Sequence, residues 1–120
     1  MIKQIAVSNV WKVLSSDKDA ILIDVRNESE WREGLPDIGS IDKNVELITI
    51  SNNVDAFENE LHDRVLNREA CLIFICRSGA RSDLAAQIAK NLGYVNSCNL
   101  VGGFQEWLKQ GLAHKQWRNR

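Results

Sequence analysis

The sequence has few of the residues that disulfide frameworks and metal sites require. Its 120 residues include only three cysteines, Cys71, Cys76 and Cys98, and two histidines. No two cysteines are spaced as in a Cys-x-x-Cys motif, and an odd number of cysteines argues against a disulfide framework. The histidines lie far from the cysteines in the sequence, so we expect neither a zinc site nor any cofactor.

Long apolar runs and an excess of one charge are also missing. No segment approaches the roughly 18 apolar residues of a membrane helix, and no targeting sequence is evident at the N-terminus. Fifteen basic and sixteen acidic residues give a formal net charge of −1, which gives a nucleic-acid-binding role little support. The length and these absences predict a single cytoplasmic domain over residues 1–120, a monomer that binds neither membranes nor nucleic acid directly.

Short apolar runs of strand length alternate with amphipathic segments of helix length. Residues 20–25 and 71–76 are almost continuously apolar, which is typical of parallel strands covered on both faces. Further strands are predicted at 45–50, at 97–101 and, at a sheet edge, at 3–7. Helices are predicted at 8–14, 27–31, 53–65, 82–92 and 104–108. The alternation predicts a three-layer α/β/α fold with a central, mostly parallel sheet of about five strands.

The most informative segment is the loop 76–82, Cys-Arg-Ser-Gly-Ala-Arg-Ser, which follows a predicted buried strand. Ligands of open α/β sheets bind beyond the carboxyl ends of the strands, and N–H groups at the start of a helix attract anions. Together with Arg77 and Arg81, these groups favour a thiolate on Cys76 and would also stabilise a persulfide anion there. Cys71 and Cys98 lie in strand-like runs without flanking arginines, so we expect them to be structural.

Three motifs together resemble those of the rhodanese-like sulfurtransferase family. Loop 76–82 is similar to its active-site loop. Residues 22–26 (Leu-Ile-Asp-Val-Arg), followed by Glu30 and Trp31, resemble its early Asp-Val-Arg motif and the acidic-aromatic pair after it. Residues 101–104 (Val-Gly-Gly-Phe), with Trp107, resemble its closing glycine pair and tryptophan. The motifs occur in the family's order and span most of the chain.

The resemblance implies a thiosulfate sulfurtransferase that uses Cys76 as its nucleophile. A sulfane sulfur would pass from thiosulfate or another persulfide donor to cyanide, a thiol or a protein, through a persulfide on Cys76. Arg81 would lie nearest the donor anion, and Asp24 and Arg26 would support the pocket. The implied substrate-binding and persulfide-stabilising residues are Arg77, Ser78, Gly79, Ala80, Arg81 and Ser82.

One segment differs from the family, and two other functions stay open. Residues 34–40 replace the family's usual Gly-His-Ile-Pro-Gly-Ala stretch and lack its histidine, so contacts made by that stretch cannot be inherited. Cysteine phosphatases of the same fold have five residues between cysteine and arginine. Here four residues, Arg77 to Ala80, separate Cys76 from Arg81, and the tighter loop suits a sulfur-sized group. A non-catalytic rhodanese-like binding module is the other alternative, although inactive copies typically lose the cysteine.

Overall fold

The computed structural model describes residues 2–118, and it contains the predicted alternation of strands and helices. The strands in this part of the chain are β1 (Lys3–Ile5), β2 (Ile21–Asp24), β3 (Leu35–Pro36), β4 (Glu46–Leu47), β5 (Leu72–Ile75), β6 (Ser97–Leu100) and β7 (His114–Lys115). The α-helices are α1 (Val10–Ser16), α2 (Glu28–Trp31), α3 (Val54–Arg64), α4 (Ala80–Asn91) and α5 (Gly103–Lys109). None of these helices has the length and apolar character needed to cross a bilayer.

Five of the strands form a parallel sheet in the order β1-β6-β5-β2-β4. This arrangement confirms the predicted α/β fold with a central parallel sheet. From β2 the chain continues to β4 on one side, and it later returns to β5 on the other side of β2. The carboxyl ends of β2 and β5 therefore meet where the strand order reverses, which is the ligand-binding position in open α/β sheets.

Both faces of the sheet are covered, which explains the continuous apolar runs. All four residues of β5 are buried, and alternate residues of a strand point to opposite faces. On one face lie α1 and α5, which contribute Leu14 and Trp107 to a buried cluster. On the other lie α3 and α4, which contribute Phe57 and Ala85. Because no side of β2 or β5 faces solvent, neither strand shows the polar-apolar alternation of a half-exposed strand.

The sequence did not predict the small second sheet. There β3 pairs antiparallel with β7, so that Leu35 lies opposite Lys115 and Pro36 opposite His114. Next to it, the rings of Trp31 and Trp117 pack edge to face with centroids 5.6 Å apart. The variant segment 34–40 is therefore held by the end of the chain rather than forming a free loop.

The turn between β6 and α5 packs against the backbone of the loop that follows β5. The N–H of Phe104 donates to the carbonyl of Cys76 at 2.8 Å, and that of Gln105 donates to Arg77 at 3.0 Å. Gly103 has a φ of +59°. A Cβ atom there would lie 2.5 Å from the carbonyl oxygen of Cys76 and 2.6 Å from that of Arg77. Only glycine allows this close approach of the two backbones.

We predict that Gly103→Ala destabilises the protein more than Gly111→Ala does. Both glycines have a left-handed backbone, which costs an alanine about 1–2 kcal/mol. A Cβ atom at Gly111 has open space around it, whereas one at Gly103 overlaps the loop carbonyls, which adds about 1–3 kcal/mol. Urea unfolding of the two variants measures the difference. Equal losses of unfolding free energy would show that the two backbones do not depend on this contact.

Candidate active site

Cys76 is the first residue after β5, and its side chain is fully buried, with an exposure of 0%. It belongs to the apolar cluster between the sheet and helices α3 and α4. The N–H of Gly79 donates to its sulfur at 3.1 Å, and the hydroxyl of Ser82 lies 3.2 Å from the same sulfur. The loop therefore closes around the thiol, which does not open onto the surface.

Opposing influences act on the pKa of the Cys76 thiol. Burial raises this pKa, because a thiolate loses hydration inside the protein. Hydrogen bonds from the Ser82 side chain and from the N–H groups of Ser82, Gly79 and Ser78 lower it, and the net pKa lies below the ordinary value of a cysteine. These donors all face the Cys76 sulfur, at the position where the sequence predicts an anion-binding concavity.

Helix α4 begins two residues earlier than the sequence predicts. Gly79 caps it with a φ of +114°, and the helix starts at Ala80 rather than Ser82. Because glycine adopts this left-handed conformation without strain, the chain can enter the helix immediately after the turn. Arg81 and Ser82 consequently lie in the first helical turn, where their side chains are held by the helix.

Arg81 forms a two-pronged ion pair with Glu30, a residue that the sequence interpretation did not place in the site. Its two terminal nitrogens lie 2.7 and 2.8 Å from the two carboxylate oxygens. Glu30 also accepts from the N–H of Asn27 and so caps α2. The Arg81 hydrogen bond lowers the pKa of Glu30 against the opposing effect of burial, and with help from Asn27 the value falls to about 2.

Neither loop arginine donates to the sulfur in the described structure. Arg77 is half exposed and lies 3.8 Å from a carboxylate oxygen of Glu33. Arg81 is close enough for its charge to interact with Cys76, although its hydrogen bonds go to Glu30. The contact between Arg81 and a donor anion thus remains a prediction, and it requires Arg81 to share or exchange its carboxylate partner.

Asp24 and Arg26 form a buried ion pair at the carboxyl end of β2, beside the loop. The closest nitrogen and oxygen are 2.8 Å apart, and the two side chains are 0% and 3% exposed. Arg26 also donates to the carbonyl of Gly34 at 2.8 Å and to that of Glu30 at 3.3 Å, and its guanidinium stacks 4.3 Å from the ring centre of Phe104. The pair therefore links β2, α2, the variant segment and α5, which suits a supporting role better than contact with a substrate.

A small pocket of about 100 Å³ lies on the outer side of the loop. Its lining residues are Arg26, Glu33, Arg77, Phe104, Gln105 and Leu108. Cys76 does not line it, so a molecule bound there would not contact the sulfur. A donor can reach the sulfur only after a side chain or the loop itself shifts.

A family model described as the rhodanese-like domain matches residues 7–110. A putative mitochondrial thiosulfate sulfurtransferase from Schizosaccharomyces pombe is 33% identical over 110 residues, which cover 84% of this chain and 72% of that protein. A crystal structure of a Mycobacterium tuberculosis protein has a TM-score of 0.84 at 34% identity, with 96% of this chain and 98% of that chain covered. The solution structure of a polysulfide-sulfur transferase homodimer from Wolinella succinogenes has a TM-score of 0.78 at 26% identity, with 99% and 82% covered.

We predict that Glu30→Gln lowers stability at neutral pH by about 1–3 kcal/mol, and that the loss becomes smaller as the pH falls below about 4.5. The folded pKa of about 2 lies below the ordinary value of 4.5. The pair therefore stabilises the protein above about pH 4.5, and this contribution is lost as the pH falls towards 2. Because Arg81 is one third exposed, solvent screens the pair and limits its contribution to stability.

The matched control is Glu28→Gln, which removes an exposed ion pair between the same short helix and Arg32, the residue that follows it. Such pairs contribute about 0.2–0.5 kcal/mol. Urea unfolding at neutral pH and near pH 3 measures both variants. If Glu30→Gln costs no more than Glu28→Gln at neutral pH, the ion pair with Arg81 does not stabilise the site.

Proposed function

This chain belongs to the rhodanese-like domain family, and we propose that it is a sulfurtransferase that carries a sulfane sulfur as a persulfide on Cys76. The observation that supports this most strongly is the set of donors aimed at the Cys76 sulfur. A thiolate gains from the N–H of Gly79 and from the hydroxyl of Ser82. Such donors are of little use to a neutral thiol in an apolar core, whereas they stabilise an anion.

The proposed reaction has two steps and needs no cofactor. The Cys76 thiolate attacks the outer sulfur of thiosulfate, the S–S bond of thiosulfate breaks, and its electron pair leaves with sulfite. An acceptor such as cyanide then attacks the outer sulfur of the persulfide, which forms thiocyanate and returns the thiolate. No proton is transferred in either step when cyanide accepts the sulfur, so the reaction requires no general base.

Two similar proteins support the choice of donor. The relative from Schizosaccharomyces pombe is named as a putative thiosulfate sulfurtransferase, and the structural neighbour from Wolinella succinogenes is named as a polysulfide-sulfur transferase. Both names describe donors with an outer sulfur bonded to another sulfur. We therefore propose thiosulfate or a polysulfide as the donor class, and a thiol, cyanide or a protein thiolate as the acceptor.

The burial of the thiol favours a second candidate, a non-catalytic rhodanese-like binding module. With Cys76 fully buried and Arg81 bonded to Glu30, the structure holds both groups away from a donor in solution. A binding module would keep this arrangement permanently, whereas an enzyme must open it in each cycle. A measurement of turnover distinguishes the two functions, because only the enzyme transfers sulfur repeatedly.

We predict that the protein forms thiocyanate from thiosulfate and cyanide, and that Cys76→Ser abolishes this activity. The reason is that a serine hydroxyl is far less acidic than a thiol and cannot take up the outer sulfur. Thiocyanate formation under steady-state conditions is the measurement. The matched control is Cys71→Ser, at a half-buried cysteine outside the loop, which we expect to retain most of the rate.

Two outcomes would contradict the proposed function. A folded wild-type protein without turnover, even with donor in excess, would favour the binding module. Efficient hydrolysis of an aryl phosphate that is lost in Cys76→Ser would instead indicate a phosphatase, despite the four residues between Cys76 and Arg81.

A further inference from the structure

A chain of polar side chains leads from the Cys76 sulfur across two strands to the edge of the sheet. Ser82 Oγ lies 3.2 Å from the sulfur and 2.6 Å from Asn99 Oδ1. Asn99 Nδ2 donates to Gln4 Oε1 at 2.8 Å, and Gln4 Nε2 donates to Asp83 Oδ1 at 2.9 Å. Gln4 in β1 lies opposite Asn99 in β6 in the sheet register. Ser82 and Asn99 are buried, with exposures of 0% and 4%.

The carboxylate at the outer end fixes the direction of this chain of hydrogen bonds. An ionised Asp83 can only accept, and it accepts from Gln4 on one oxygen and from Gln87 on the other. Gln4 must therefore turn its amino group towards Asp83 and its carbonyl towards Asn99. Asn99 in turn donates to Gln4, which leaves its own carbonyl oxygen facing Ser82.

As a result, the single hydroxyl proton of Ser82 has two competing acceptors. One is the Asn99 carbonyl oxygen, at a short 2.6 Å, and the other is the Cys76 sulfur, at 3.2 Å. If the hydroxyl donates to a thiolate on Cys76, the buried Asn99 oxygen loses its donor, and an unsatisfied buried acceptor costs free energy. If the hydroxyl donates to Asn99, the thiolate keeps only its backbone donors.

We infer that Asn99, oriented by Gln4 and Asp83, is a positioning residue that competes with the Cys76 sulfur for the hydroxyl proton of Ser82. The competition limits how far the thiolate is stabilised. A less stabilised thiolate is a stronger nucleophile, because the nucleophilicity of a thiolate falls as its pKa falls. After sulfur uptake the negative charge lies on the outer sulfur. The persulfide then loses little stabilisation when the Ser82 hydroxyl donates to Asn99. This benefit for catalysis rests on the proposed sulfur transfer, whereas the competition itself does not.

The most informative variant is Gln4→Leu, which removes an amide on the exposed edge strand without changing charge. Without Gln4, the side-chain amide of Asn99 is free to rotate and donate to Ser82, whose hydroxyl then donates to the thiolate. Asn99→Ala removes the competing acceptor directly. Gln87→Leu is the matched control, because Gln87 also donates to Asp83 from an exposed position but lies outside the path to the sulfur.

The charges around Cys76 stay the same in all these variants. The loop and the elements packed on it carry the charged side chains Arg77, Arg81, Asp24, Arg26, Glu28, Glu30, Glu33, Asp83, Lys90, Glu106 and Lys109, and none of them is substituted. A change in the Cys76 titration therefore reports a change in hydrogen bonding and not in net charge.

The experiment is a titration of the thiolate by its ultraviolet absorbance in a Cys71→Ser, Cys98→Ser background, where Cys76 is the only thiol. The method needs neither a sulfur donor nor access to the buried sulfur, so its result is independent of sulfur transfer. We expect Gln4→Leu and Asn99→Ala to lower the Cys76 pKa, which raises the thiolate fraction about tenfold at a pH well below that pKa. Gln87→Leu should titrate as the parent protein does.

A double-mutant cycle with Ser82→Ala separates the proposed path from a general change in structure. If Gln4 acts through the Ser82 hydroxyl, Gln4→Leu has no effect on the Cys76 pKa once that hydroxyl is gone. Urea unfolding verifies that each variant folds. The inference is overturned if folded Gln4→Leu leaves the Cys76 pKa unchanged or raises it, or if the shift persists in the Ser82→Ala background.

Discussion

The N–H groups of the loop after β5 can face the Cys76 sulfur because the carbonyl groups of Cys76 and Arg77 are bonded on the opposite side. These two carbonyls accept from Phe104 and Gln105 at the start of α5, which is possible only because Gly103 lets the two backbones come so close. The orientation of these N–H groups thus depends on contacts between residues that are 28 positions apart in sequence. The ion pairs and the polar chain around the sulfur are all built onto this backbone arrangement.

Two ion pairs enclose the loop from the side of β2. The buried pair of Asp24 and Arg26 fixes the strand end and the segment after α2, and the pair of Glu30 and Arg81 connects α2 to the first turn of α4. Together with the apolar cluster behind Cys76, they exclude water from the sulfur, and this raises the strength of every hydrogen bond to it. Because of the same enclosure, the proposed sulfur transfer requires a movement of a side chain or of the loop.

The sequence was sufficient for the main sheet and for the position of the loop after β5, but not for the contacts around that loop. Strands β2 and β5 were predictable because burial on both faces leaves a continuous apolar run. Strands β3 and β7 have two residues each and show no periodicity. The pairing of Glu30 with Arg81 spans 51 positions and that of Gln4 with Asn99 spans 95, so neither follows from local spacing. The one available signal was Asn99 itself, a polar residue within a strand that is buried throughout.

Mapping the cysteine that gains sulfur tests most directly whether Cys76 is the site of the persulfide. The protein is treated with thiosulfate, the remaining thiols are blocked, and peptide mass spectrometry locates the added sulfur. The donors around its sulfur predict that Cys76 alone gains one sulfur atom and that cyanide removes it. Sulfur on Cys71 or Cys98, or no gain of mass in a folded protein, would contradict the assignment of Cys76.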